Sequence, residues 1–269
     1  MPTETRADFP THWMTWGEGA NHALLLHCTM GRASAWCGMI KHLNAAHTLT
    51  GFDMPGHGKS GQWCDKSDFH TIGTEIAKTF IDKPMDLVGH SYGGTIALRL
   101  ALELPSLVRS LVLIEPVLMN LAFKDDSSLK VSYDMDHKEY NDACLAGYPE
   151  KAASAFNTHW GNGQVWTDLP QRSRDLMVEK ICMIKAGEPY VYGDRYGFSE
   201  TGRLSKISVP VLLIEGAQSH MIVGKINSAL ERRLSNTSRI IIDNAGHMLP
   251  ITNPIETAQA ISRFWNASI

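Results

Sequence analysis

The fold is decided by the stretch Asp86-Leu-Val-Gly-His-Ser-Tyr-Gly-Gly-Thr-Ile-Ala-Leu-Arg-Leu-Ala101. An apolar run, Met85 to Val88, leads into Gly89-His-Ser-Tyr-Gly93, and a helical pattern of apolar residues follows directly, which predicts a strand, a sharp turn and a helix. Such a turn strains its central residue, so its neighbours must be small, and glycines stand at both ends. Ser91 should therefore project from the top of a sheet, where the free N–H groups of the helix favour a developing negative charge. We interpret Ser91 as a nucleophile rather than as part of a glycine-rich turn.

The same alternation of apolar runs and helical spacing continues on both sides of this stretch. It is interrupted from about Val117 to Ile207 by polar, helix-prone pieces that are rich in aromatic residues. Strands and helices that alternate around one long excursion predict an α/β fold, with a mostly parallel twisted sheet, helices on both faces and an inserted helical cap. The core should comprise residues 1–116 and 208–269, and the cap residues 117–207. The predicted strands are Pro10–Trp16, Ala23–His27, His47–Phe52, Met85–Val88, Val108–Ile114, Val209–Ile214 and Arg239–Ile242, and a helix is expected from the loop after His27 to about Leu43.

Composition narrows the classes of function. The chain has 269 residues, 43% of them hydrophobic, which is enough for one large core with an insertion. A net charge of −3 without a basic stripe argues against a nucleic-acid partner. The first residues, Met1 to Asp8, lack an apolar segment of signal-peptide length, and no run approaches a membrane span, so we expect a cytoplasmic protein.

Cysteine and histidine spacing bears on metals and cofactors. The twelve histidines form no HxH or HExxH ligand spacing, so a metal site is not expected. No cofactor is predicted. The cysteines are odd in number and scattered without a CxxC pair, which favours reduced, mostly buried thiols over a disulfide framework. They are Cys28, Cys37, Cys64, Cys144 and Cys182.

A serine nucleophile requires a base, because the hydroxyl group is weakly nucleophilic near neutral pH. The sequence Ala245-Gly-His247 lies in the loop after the last predicted strand, and the glycine lets that loop turn back toward the strand ends. We therefore interpret His247 as the base rather than as a solvent-facing histidine.

At this point the chain resembles the α/β-hydrolase superfamily over nearly its whole length. Gly89-His-Ser-Tyr-Gly-Gly94 resembles the nucleophile elbow, Asp53-Met-Pro-Gly-His-Gly-Lys-Ser60 the loop after the fourth strand of the family, and Ala245-Gly-His247 its catalytic-histidine loop. His27-Cys-Thr-Met-Gly31 is similar to the HGxxG oxyanion loop, although Cys28 stands where a glycine is usual. The resemblance implies an oxyanion hole formed by the backbone N–H groups of Thr29 and Tyr92.

The resemblance also implies an acid, and here the chain departs from the family pattern. The acid usually follows the strand represented by Val209–Ile214, but after Gly216 the chain reads Ala-Gln-Ser219 without a carboxylate. Some superfamily members place the acid one strand earlier, where Glu115 follows Val108–Ile114. We predict Glu115 as the acid, with Glu215, Asp243 and a serine–histidine dyad as alternatives.

The chemistry implied is acyl transfer through an acyl-enzyme, most simply in a carboxylic-ester or lactone hydrolase with a small, largely apolar substrate. Met30, Arg32, Trp160 and Trp166 are the predicted pocket residues, with a small molecule as the partner. Two alternatives stay open, since a fold does not give a substrate. One is other chemistry at the same site (C–C bond hydrolysis, hydroxynitrile cleavage or perhydrolysis), and the other is a ligand-binding receptor that retains the triad.

Overall fold

The computed structural model describes residues 3–43, 46–63 and 67–267, so Cys64 lies outside the described residues. These residues form one sheet of eight strands in the order β1-β2-β4-β3-β5-β6-β7-β8. The pairs β1/β2 and β2/β4 are antiparallel, and every other neighbouring pair is parallel. The strands are β1 Thr3–Arg6, β2 Phe9–Trp16, β3 Asn21–Leu26, β4 His47–Phe52, β5 Met85–His90, β6 Val108–Ile114, β7 Val211–Gly216 and β8 Thr237–Ile242.

Helices cover both faces of this sheet. The helices are α1 Cys37–Ile40, α2 Phe69–Lys78, α3 Tyr92–Glu103, α4 Met119–Asp125, α5 Ser128–Asp136, α6 Lys138–Leu145, α7 Pro149–Trp160, α8 Gln171–Lys180, α9 Cys182–Val191, α10 Met221–Glu231, α11 Leu249–Thr252 and α12 Pro254–Ala267. Alternation along β3 separates two cores: Leu24 and Leu26 pack toward α2, α3 and α10, whereas Ala23 and Leu25 pack toward α1 and α12. The predicted α/β fold is confirmed.

One local prediction needs correction, and two features were not predicted. The helix expected after β3 is a short 3₁₀ turn, Ala33–Trp36, followed by one turn of α-helix, because the sequence there carries Gly38 and no capping side chain. The strands β2 and β3 follow each other in the chain but are not neighbours, since β4 pairs with both. Strand β1 was not predicted, because its four residues carry no apolar alternation.

The long excursion between β6 and β7 contains six helices, α4 to α9, and no strand in the described chain. Helices α6 and α7 share a small apolar core of their own around Ala153. Ile181, the residue directly before α9, packs into the same core. No helix among the described residues is long and apolar enough to cross a membrane.

The turn between β5 and α3 has the predicted strained geometry. Ser91 lies at φ +54°, a left-handed value that residues other than glycine rarely adopt. A Cβ atom on Gly89 would come within 2.5 Å of the Gly93 carbonyl oxygen, and one on Gly93 within 2.1 Å of the Leu26 carbonyl oxygen. The two glycines therefore allow the tight approach that carries Ser91 to the rim of the sheet.

Candidate active site

Three side chains meet at the carboxyl ends of the parallel strands. The Nε2 atom of His247 lies 3.0 Å from the hydroxyl oxygen of Ser91, and Nδ1 lies 3.1 Å from Oε2 of Glu115. All three residues are buried. When Nδ1–H donates to the carboxylate, Nε2 is left with a lone pair that accepts the serine proton. The structure thus brings the predicted nucleophile, base and acid into one hydrogen-bonded row.

Glu115 is placed by an unusual backbone turn and by three donors. Its φ of +50° turns the chain away from β6 immediately before Pro116. Its other carboxylate oxygen, Oε1, accepts the backbone N–H of Gly216 and the hydroxyl of Ser219, each at 2.7 Å. Ser219 therefore stands where the family usually has its acid, and here it donates to the carboxylate instead.

The two rival carboxylates lie elsewhere. One guanidinium nitrogen of Arg239 donates to both carboxylate oxygens of Glu215, at 2.7 and 2.9 Å. The side-chain amide of Asn227 donates a third hydrogen bond to the same carboxylate. Asp243 is exposed, and the described residues show no hydrogen bond between it and His247. Neither carboxylate is in position to orient the imidazole.

Two backbone N–H groups of residues that line the cavity over Ser91 have no protein acceptor among the described residues. Thr29 N–H and Tyr92 N–H take part in none of the hydrogen bonds of the described chain, and both residues line the cavity over Ser91. Their neighbours are engaged, because Gly31 N–H donates to the Cys28 carbonyl and Met30 N–H to Nε2 of His57. Cys28 fits into this loop as a buried thiol whose pKa burial raises to about 12.

The loop that carries Thr29 is held by residues that the sequence did not single out. His57 donates from Nδ1 to the Pro55 carbonyl, which leaves Nε2 to accept from Met30. Burial lowers the pKa of His57 to about 3, so this acceptor persists at neutral pH. Asp53 accepts the backbone N–H of Ala33 at 2.7 Å. The motif Asp53–Ser60, noted only as a family resemblance, was the signal that could have identified both supports.

A cavity of about 620 Å³ opens over Ser91. Core residues form its floor, and apolar side chains from the excursion between β6 and β7 form much of its wall. No acidic side chain occurs among the described residues that line it. The wall residues include Phe156, Trp160, Leu169, Met177, Ile184 and Val191.

The predicted pocket residues divide into two groups. Met30 and Arg32 line the cavity, and Arg32 is exposed and has no ion pair within the described chain. Trp160 lies edge-on to His247 with ring centroids 4.7 Å apart, and its indole N–H donates to Nε2 of His137. Trp166 was expected in the pocket, but it does not line the cavity; it lies in a 3₁₀ turn and packs against the small apolar core around Ala153.

A family model described as the alpha/beta hydrolase fold matches residues 21–254. The chain belongs to the α/β-hydrolase family. It is 33% identical over 258 residues to the pimeloyl-[acyl-carrier protein] methyl ester esterase of Proteus mirabilis, covering 93% of this chain and 94% of that one. It is 22% identical over 261 residues to the (E)-2-((N-methylformamido)methylene)succinate hydrolase of Acinetobacter baylyi, covering 93% and 92%.

Solved α/β-hydrolase structures agree with the fold. The structure of VinJ superposes with a TM-score of 0.75 over 100% of this chain and 98% of that one, at 15% identity. The putative lipase of Acinetobacter baumannii reaches 0.74 over 97% and 89%, at 20% identity. The three hydrogen-bonded side chains lie at the strand ends of this shared fold, and no cluster of metal-binding side chains occurs among the described residues.

Proposed function

We propose that the protein is a serine hydrolase of carboxylic esters or lactones, with Ser91 as nucleophile, His247 as base and Glu115 as acid. The observation that carries the proposal is the row of two hydrogen bonds from Ser91 through His247 to Glu115, set beside two free backbone N–H groups. The Proteus relative is named as a methyl ester esterase, which supports the ester as the substrate class.

The mechanism follows from this geometry. Ser91 Oγ bonds to the substrate carbonyl carbon while its proton moves to Nε2 of His247, and the carbonyl oxygen becomes an oxyanion held by Thr29 and Tyr92 N–H. The imidazolium, stabilised by Glu115, then protonates the leaving alcohol as the ester C–O bond breaks. Water attacks the acyl-enzyme with the same histidine as base, which releases the acid and restores Ser91.

The excursion between β6 and β7 acts in this proposal as a helical cap, residues 117–207, over a core of residues 1–116 and 208–269. Its support is the cavity wall, which combines side chains of α7, α8 and α9 with Ser91 and His247 below. A mostly apolar wall and the absence of acidic lining side chains in the described chain favour a largely apolar substrate.

The test is the loss of the nucleophile. We expect Ser91→Ala to lower the rate of ester hydrolysis on the order of 10⁶-fold, because the three residues act as a unit. A fluorophosphonate probe should label the wild type at Ser91 alone, as read by peptide mass spectrometry. Ser205→Ala, which changes an exposed serine outside the cavity, should behave as the wild type. Persisting hydrolysis in Ser91→Ala, or labelling at another residue, would contradict the proposal.

A further inference from the structure

The polar side chains that line the cavity include a pair of tyrosines that the proposed reaction does not use. The phenol oxygens of Tyr133, on α5, and Tyr192, directly after α9, lie 2.8 Å apart, and both residues line the cavity over Ser91. The pair carries two hydroxyl protons, and one of them forms the bond between the oxygens. The other has no acceptor among the described residues. A phenol O–H group without a partner in a largely apolar cavity favours a ligand that offers a hydrogen-bond acceptor.

Burial indicates which hydroxyl faces the ligand. Tyr133 is 4% exposed, whereas Tyr192 is 38% exposed. Tyr192 lines the cavity, so part of its exposed surface faces the cavity. Either hydroxyl can donate in this bond; we assign Tyr133, the more buried of the two, as the donor, which leaves the proton of Tyr192 for the cavity.

The charges near Tyr133 and Tyr192 favour an uncharged ligand oxygen over a carboxylate. The pKa of Tyr192 is raised first by burial and further by the negative charges of Glu188 and Asp134. Burial also raises the pKa of Tyr133, so both phenols are neutral donors at neutral pH. A carboxylate placed there would meet these like charges, whereas an uncharged carbonyl or ether oxygen would not.

We propose that Tyr192, supported by Tyr133, forms a subsite for an uncharged oxygen acceptor on the substrate, at a distance from the ester that Ser91 attacks. The substrate class is thus an ester with an apolar chain that carries a second carbonyl or ether oxygen. This inference rests on the proposed function for the identity of the ester.

The subsite is tested by binding, which does not require turnover. Ser91→Ala protein is titrated by isothermal calorimetry with methyl esters of straight-chain acids and with their keto analogues, the ketone being moved one carbon at a time. We expect one ketone position to lower Kd about 3- to 10-fold relative to the parent ester, as expected for one neutral hydrogen bond. The matched ω-carboxylate esters should bind no better than the parent.

Three added variants assign the effect to the pair. Tyr192→Phe should abolish the keto preference, and Tyr133→Phe should reduce it in part, because it removes the bond that orients Tyr192. Tyr190→Phe is the control, since its hydroxyl donates to Asp68 and its ring does not line the cavity, so the preference should remain.

The outcomes separate the two proposals. Equal Kd values for keto and parent esters, a preference that survives in Tyr192→Phe, a loss that Tyr190→Phe shares, or tighter binding of carboxylates would each overturn the subsite. Ester hydrolysis and labelling of Ser91 in the wild type report on the proposed function alone. A keto preference in Kd without any turnover would therefore support the subsite while contradicting the esterase.

Discussion

Glu115 and Glu215 occupy equivalent places on adjacent strands yet differ in everything that decides their chemistry. The strands β6 and β7 pair in register at Ile114 and Ile214, and each glutamate comes next in its chain. Both are buried. Glu115 accepts from the imidazole of His247, whereas Glu215 is neutralised by the guanidinium of Arg239.

The difference arises in the backbone. Glu215 continues the extended strand, and the alternation of side chains directs it to the face where α10 packs, beside Asn227. Glu115 leaves the strand at φ +50°, which places its carboxylate at the rim of the sheet. The comparison teaches that a position at the end of a strand does not by itself bring a glutamate to the histidine; the backbone dihedral angle and the available partner decide it.

Among the variants that test this comparison, Glu115→Gln should have the largest effect. Its Oε1 site receives two donors, so the amide oxygen should settle there and the NH₂ group should face His247. Nδ1 must then accept, Nε2 carries the proton, and the histidine cannot take the proton of Ser91. We expect kcat to fall on the order of 10³- to 10⁴-fold with little change in the free energy of unfolding.

The companion variant, Glu215→Gln, should lower the stability of the fold and leave kcat nearly unchanged. It removes the buried one of the two carboxylates that pair with Arg239 and leaves only the more exposed Glu231, so we expect the free energy of unfolding to fall by about 2 kcal/mol. The effect is measured by urea denaturation, with kcat within about twofold of the wild type by initial rates. A large loss of kcat with normal stability in Glu215→Gln would reverse the assignment of the two glutamates.

The sequence predicted the sheet, the nucleophile turn and the histidine loop, because each depends on local spacing around Ser91 and His247. It ranked Glu115 first among the acids only through a departure from the family pattern. The hydroxyl of Ser219 and the imidazole of His57 were missed as supports, because their contacts span 104 and 27 residues of chain. Trp166 was placed in the pocket on composition alone, which does not tell a cavity wall from a helix core.

A carboxylate placed at position 219, in the loop where the family usually has its acid, should restore part of the kcat that is lost with Glu115. In Glu115→Ala the carboxylate is lost and its space is vacated, and adding Ser219→Asp places a new carboxylate beside the Gly216 N–H group. We expect the double variant to recover kcat by about 10-fold or more relative to Glu115→Ala, since an acid one strand away can again orient His247.

The control is Glu115→Ala with Ser219→Asn, which has the same shape without the charge and should not recover. Equal rates for the two double variants would mean that the new side chain does not act as an acid.

The smallest effect on kcat is expected at Ser219, and it tests whether the hydroxyl of Ser219 supports Glu115 or the side chain only fills space. Ser219→Ala removes one of the two donors to Glu115 Oε1 and leaves the Gly216 N–H group in place. Ser219 is only half-buried, so water can replace part of the lost bond, and we expect about 1 kcal/mol, or roughly a fivefold lower kcat. KM should stay unchanged, because Ser219 does not line the cavity. Ser219→Thr keeps the hydroxyl and should restore kcat, which a role in packing alone does not predict for a larger side chain. A Thr variant as slow as Ala, or an Ala variant as fast as the wild type, would show that Glu115 is held without the help of Ser219.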